Sequence, residues 1–376
     1  MKKFLSILTG VVLVLSIFSA CSEKQPATES KPEEAGKKLK VYTSFYPMYD
    51  FAAKIGGDKI ELYNLVPAGT EPHDYEPSTE DIAQLESADM LIYNGAGMEH
   101  WVETVVKSLT NKNLVVVEAS HGIELMKGEH HHDEDMDHDE DMEHDHDEDM
   151  EHDHDEDMEH DHDEDMEHDH DEDMEHDHDE DMEHDHDEDM EHDHDEEHHH
   201  DHGQFDPHVW LNPHNAISEM ENIKNALVTK DPANKDYYEE NFMTQKKAFE
   251  ELDAEFAEKL KPYAGKNIVV AHEAFGYLCK AYNLNQMGIE GLSPDLEPDP
   301  KRMAEVVDFV KANNVKTIFF EELVSPKVAE AVAKETGAAT DMLNPLEGLT
   351  EEQLKNGEDY ISVMKANIDS LIKSFK

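Results

Sequence analysis

Cysteine is nearly absent from this chain, with two in 376 residues, Cys21 and Cys279. Cys21 closes an N-terminal apolar run, so Cys279 is left without a partner and the fold cannot depend on a disulfide. Positive charge is scarce as well: 31 Lys and Arg stand against 92 Asp and Glu, a net charge of −61. That balance argues against nucleic-acid binding, which needs a basic face, and leaves room for a cationic ligand. The usual catalytic signatures are missing. There is no phosphate-cradling glycine loop and no nucleophile–base constellation, and HEAFG at His272 lacks the second histidine of HExxH. No enzyme is expected.

What is present is unevenly distributed. Residues 129–202 contain only 44 Asp and Glu, 22 His and 8 Met. Outside them 48 acids face 31 Lys and Arg, a net of −17, so most of the acidity is local. The octet EHDHDEDM occurs six times in succession from Glu143 to Met190. Methionine is its only core-forming residue. Histidine steps of two and six give no single helical face, and a period of eight is not the heptad of a coiled coil. A disordered loop over residues 121–203 is expected.

Each octet offers two imidazoles separated by one Asp. They are His144 and His146, then His152 and His154, then His160 and His162. His168 and His170, His176 and His178, and His184 and His186 follow, with His192 and His194 in a truncated copy. Flexible sites of this kind bind many metal ions weakly, because each must be ordered on binding. The dense negative field concentrates divalent cations. It also raises the imidazole pKa values, so protons compete in mild acid.

The start of the chain, MKKFLSILTGVVLVLSIFSAC, reads as a secretory signal over residues 1–20. FSAC resembles the bacterial lipobox, with Phe18 in place of the more usual Leu. The resemblance implies lipidation of Cys21 and a lipid anchor in the cell membrane, on its extracytoplasmic face. Residues 21–38 have almost no apolar content and read as a flexible tether.

From Leu39 onward, strand and helix signals alternate, which predicts an α/β fold with mainly parallel sheets. LKVYTSF, IELYNLVP, DMLIYNG and NLVVVEAS read as strands, with helices between them and STEDIAQLESA opening on a Ser/Thr cap. The alternation resumes with NIVVAH and VKTIFFEE as strands, and EAFGYLCKAY, DPKRMAEVVDFVKANN and SPKVAEAVAKETG as helices. TEEQLKNGEDYISVMKANIDSLIKSF reads as one last helix. Between the halves, Tyr238, Phe242, Phe249, Leu252, Phe256 and Leu260 recur at spacings of three, four and seven, the stripe of one helix face. The expected organisation is an N-terminal lobe over 39–232, a connecting helix over 233–262 and a C-terminal lobe over 263–376.

His73, His100, His208, His214 and His272 lie in ordinary segments outside the repeat. His73, His208 and His272 follow a predicted strand or the repeat, where ligands of α/β sheets gather. Three imidazoles converging there would make a zinc site, although spacing alone does not show convergence.

AGTEPHDYEPS, NGAGMEHW, DPHVWLNP, AHEAFGYL, SPDLEPDPKRM and LNPLEGL occur in this order. Together they closely resemble the zinc receptors among the metal-binding lipoproteins that feed bacterial ABC importers. The resemblance runs from about Leu39 to the end, interrupted by the repeat. It implies two α/β lobes bridged by one long helix, with one ion held in the cleft between them. Carried over motif by motif, the ligands are His73, His208, His272 and Glu347. Three imidazoles and one carboxylate suit zinc; the related manganese receptors place carboxylates at two positions. Asp206, Glu273 and Asp74 are candidates for orienting the imidazoles, and His100 and His214 are expected at the surface. The resemblance implies Zn2+ as transported ligand, an ABC permease and its ATPase as partners, a monomer, and a histidine loop that collects zinc weakly. A surface adhesin and a cell-surface zinc buffer are the alternatives.

Overall fold

The computed structural model describes residues 37–128, 205–294 and 298–376. The signal segment, Cys21, most of the tether and the octet histidines lie outside the described residues. The first lobe runs β1 (Leu39–Thr43), α1 (Tyr46–Gly56), β2 (Ile60–Asn64), α2 (Thr79–Leu85), β3 (Met90–Tyr93), α3 (Val102–Ser108) and β4 (Val115–Glu118). Two helices follow the insertion, α4 (Pro213–Lys230) and α5 (Lys235–Leu260). The second lobe runs β5 (Asn267–Val270), α6 (Gly276–Tyr282), β6 (Asn285–Gly288), α7 (Pro300–Asn313), β7 (Thr317–Phe320), α8 (Lys327–Thr336) and β8 (Ala339–Met342). It closes with α9 (Glu351–Asn356) and α10 (Tyr360–Ser374).

The first sheet has the order β2-β1-β3-β4 and the second β6-β5-β7-β8, with every pairing parallel. The inner strands β3, β5 and β7 are largely apolar because helices cover both faces of such sheets; in β5, Ile268, Val269 and Val270 are all buried. In both sheets the chain reverses its direction of travel beside the first strand, between β1 and β3 and between β5 and β7. Loops leaving the strands there diverge and open a crevice at the carboxyl ends.

The stripe read from the sequence is the buried face of α5: Tyr238, Phe242, Phe249, Leu252, Phe256 and Leu260. The helix has 26 residues, and at 1.5 Å per residue it is about 40 Å long. Phe249 meets Phe51 of α1 edge-on at 5.9 Å and stacks on Tyr360 of α10 at 4.7 Å. Lower on the same face, Phe256 stacks on Tyr282 of α6 at 5.0 Å. One helix thus packs against both lobes. Phe249→Ala would open a cavity at this junction and is expected to cost about 3–5 kcal/mol of stability, measured by denaturant unfolding.

Local caps decide where helices begin and end. Ser78 and Asp81 form a reciprocal capping box on α2. The C-terminal segment, expected as one helix, is two. Gly357 ends α9 with a left-handed φ of 78°, and Asp359 then caps α10 by accepting from the Ser362 amide. The break lets Tyr360 enter the core, where its hydroxyl donates to Trp210 O at 2.5 Å. Helix α6 begins at Gly276, later than EAFGYLCKAY suggests, because His272–Phe275 form a turn leaving β5. Cys279 is free and buried. No described helix is long and apolar enough to cross a membrane.

Candidate metal centre

Strand ends deliver the site. His272 follows β5 within two residues, and Glu347 lies five residues beyond β8. His208 enters a single 3-10 turn, Val209–Leu211, just before α4. His73 sits in the connection between β2 and α2, which has no helix or strand of its own.

All four side chains expected from the sequence meet. Their ligand-capable atoms lie within 4.8 Å of one another. Glu347 Oε1 is 3.0 Å from His208 Nε2, 3.1 Å from His272 Nε2 and 3.3 Å from His73 Nε2. His208 Nε2 is 3.3 Å from the Nε2 atoms of both His73 and His272. A tetrahedron with arms of about 2.0 Å, the length of a zinc–imidazole bond, has edges of about 3.3 Å. Five of the six donor-to-donor distances therefore stand close to tetrahedral values, and the sixth, between His73 and His272, falls within 4.8 Å.

The outward nitrogens explain why the inward ones point as they do. His208 Nδ1 is 2.8 Å from Asp206 Oδ1, and His272 Nδ1 is 2.8 Å from Glu321 Oε1. A neutral imidazole that donates from Nδ1 carries its lone pair on Nε2. Lone pairs facing one another at 3.3 Å repel unless a proton or a cation lies between them. Burial intensifies this: His208 and His272 are 0% exposed and Glu347 is 2%.

The ionisation of the cluster follows. Burial lowers the His73 pKa, with Glu347 only partly opposing it. Burial also works against protonated His208, but the Asp206 hydrogen bond and Glu347 outweigh it and the pKa rises. For His272 burial is again the largest opposing influence; the charges of Glu321 and Glu347 lift it well above the ordinary value. Burial disfavours ionised Glu347, yet His272 and the other imidazoles hold its pKa well below the usual carboxylate range. Without a metal, the centre is a carboxylate sharing protons with imidazoles.

Both ends of the histidine-rich insertion close beside this centre. Lys127 and Phe205 form an antiparallel bridge, and the Asp206 amide donates to Met126 O. The Tyr277 hydroxyl accepts from the Met126 amide and donates to Asp206 O, each at 2.9 Å. Gly276 makes the approach possible, since a Cβ there would stand 2.5 Å from Asp206 Oδ2.

Of the acids considered as imidazole partners, Asp206 takes that role. Glu273 instead lies 3.2 Å from the Arg302 guanidinium, and Asp74 is exposed. Glu321 is the partner that sequence reasoning misses. The available signal was its position directly after the strand VKTIFF. His100 is exposed and pairs with Glu76 at 2.9 Å, and His214 is exposed, as expected. A further histidine, His121, stands exposed at the start of the insertion.

Known proteins match this arrangement. Residues 41–374 match the family model described as zinc-uptake complex component A, periplasmic. The high-affinity zinc uptake system protein ZnuA of Bacillus subtilis is 37% identical over 366 residues, 96% of each chain. The zinc-binding lipoprotein AdcA of Streptococcus pneumoniae is 34% identical over 371 residues, 99% of this chain. This chain spans 60% of the length of that lipoprotein. The crystal structure of the Zn(II)-bound ZnuA-like domain of Streptococcus pneumoniae AdcA has a TM-score of 0.64 at 32% identity, covering 90% of this chain and 99% of that one. With the match running through both lobes, the chain belongs to the zinc-uptake component A family, whose members are metal-binding receptors and not enzymes.

Proposed function

We propose that the protein is an extracytoplasmic receptor that captures Zn2+ between its two lobes and hands it to an ABC permease driven by an ATPase. The observation that carries this reading is the convergence of three imidazoles and one carboxylate, with ligand atoms within 4.8 Å of one another and the carboxylate oxygen 3.0–3.3 Å from each Nε2. His73, His208, His272 and Glu347 are the ligands. Three neutral imidazoles with one carboxylate suit a borderline-soft ion of tetrahedral preference. Four protein ligands leave no open position for an activated water, so the work is capture and release without bond chemistry. His73 is the most exposed ligand, its side chain at 9%, and its supporting segment has no helix or strand. It is the ligand that swings away first on release. A lipid on Cys21 would keep a monomeric receptor near its permease.

The histidine-rich segment serves as a weak collector, with many low-affinity sites delivering to one tight site. Calorimetric zinc titration of the full chain and of a form lacking residues 129–202 tests the division of labour. One tight site should survive the deletion and the excess weak binding should vanish. Loss of the tight site with the segment would overturn the cleft as receptor and favour a surface zinc buffer.

A further inference from the structure

Trp210 touches the supports of two ligands at once. Its indole ring packs on the His208 imidazole, with centroids 5.3 Å apart, and meets Phe45 edge-on at 5.0 Å. Its Nε1–H donates to Pro345 O at 2.8 Å. Pro345 lies two residues before Glu347, and Trp210 two residues after His208. Both the indole and its acceptor are buried. Trp210 is itself held in place, because its carbonyl accepts the Tyr360 hydroxyl.

The loop that receives this bond needs outside support. Leu346, between Pro345 and Glu347, has a left-handed φ of 60°, a conformation unfavourable for a residue with a branched side chain. Two asparagines brace the loop. The Leu346 amide donates to Asn344 Oδ1 at 2.7 Å, and Asn344 exchanges two hydrogen bonds with Asn367 of α10. Those contacts lie within the second lobe. The Trp210 bond is a brace that arrives from the segment bearing His208.

We propose that Trp210 is a positioning residue that couples the His208 segment to the Glu347 loop, fixing Glu347 Oε1 against the imidazoles and slowing zinc release. This deepens the receptor reading and rests on Glu347 being a ligand. A carboxylate on a strained loop is held for zinc only while the loop is pinned from both lobes. Removing the indole N–H leaves Pro345 O without its buried donor and frees the loop to relax.

Trp210→Phe keeps an aromatic ring against His208 and Phe45 and removes the donor together with the bulk of the second ring, a packing loss that the double variant separates from the effect on Glu347. The test measures zinc release by chelator-trapped stopped flow, zinc association, and the visible spectrum of the Co2+-loaded protein. It uses the parent, Trp210→Phe, Glu347→Ala and the double variant. Release from Trp210→Phe should quicken about tenfold with association unchanged, and the Co2+ spectrum should shift toward that of Glu347→Ala. In the Glu347→Ala background the same substitution should change release less than about twofold, because its effect runs through that carboxylate. Unchanged release from Trp210→Phe, or an equal acceleration in both backgrounds, would overturn the positioning role and leave the ligand set intact. A Glu347→Ala protein that releases zinc as slowly as the parent would overturn the ligand assignment itself, and the positioning role with it.

Discussion

His208→Ala is expected to weaken zinc binding more than a hundredfold in a competition titration while the protein stays folded. A four-ligand zinc site gains roughly 10–16 kcal/mol, so one ligand contributes about 3 kcal/mol, which is over two powers of ten in affinity. His208 is wholly buried. The variant also strips Asp206 of its imidazole partner. It does not strip the backbone bond, since the residue 208 amide still donates to Asp206 Oδ1 at 2.9 Å. That bond, the Tyr277 clasp and the α5 core all lie outside the deleted ring, which is why folding should persist. Unchanged zinc affinity would remove His208 from the ligand set.

Zinc affinity is expected to fall steeply as pH drops below neutrality. Zinc needs unprotonated imidazoles, and two of the three hold protons more firmly than free histidine does. Displacing both gives a slope of roughly two protons per zinc, about a hundredfold in affinity per pH unit where both are protonated. The decline begins above pH 6.5, the ordinary histidine value, because the folded values lie higher. The metal-free protein should show the opposite trend. Raised His208 and His272 pKa values contribute stability that is fully present below 6.5 and lost as pH rises through the folded values. The depressed Glu347 pKa contributes stability above 4.5 that is lost as pH falls through its folded value. Between 4.5 and 6.5 both contributions hold, so the zinc-induced rise in Tm should be much smaller there than at pH 8. A zinc-induced Tm shift independent of pH from 5 to 8 would contradict this proton exchange.

The parts legible in the sequence were those written in local pattern or in order along the chain. The α5 stripe could be read because a helix face repeats every three to four residues. The four converging side chains came from motifs in order, since no spacing relates His73 to Glu347, 274 residues apart. Glu321 had only its place after a strand to mark it, for the same reason. It reaches His272 across 49 residues, and nothing in FFEEL distinguishes it from its neighbour Glu322. The part played by Trp210 is not legible in the sequence, because its bond to a carbonyl 135 residues away leaves no local trace. The break at Gly357 was written in NGED, a glycine stop followed by an aspartate cap, and the apolar pattern on both sides masked it.

The clasp made by Tyr277 has a consequence for how the gene can change. Lys127 and Phe205 are already paired, and one phenol holds the strands on either side of them. Whatever lies between joins two ends whose positions are set without it, so closing a longer or shorter segment adds only a slowly growing entropy. Whole octets can be gained or lost by recombination without moving Asp206 or His208. The same property makes residues 129–204 a natural seat for a grafted reporter, joined to the metal centre through Asp206, the residue that orients the His208 imidazole.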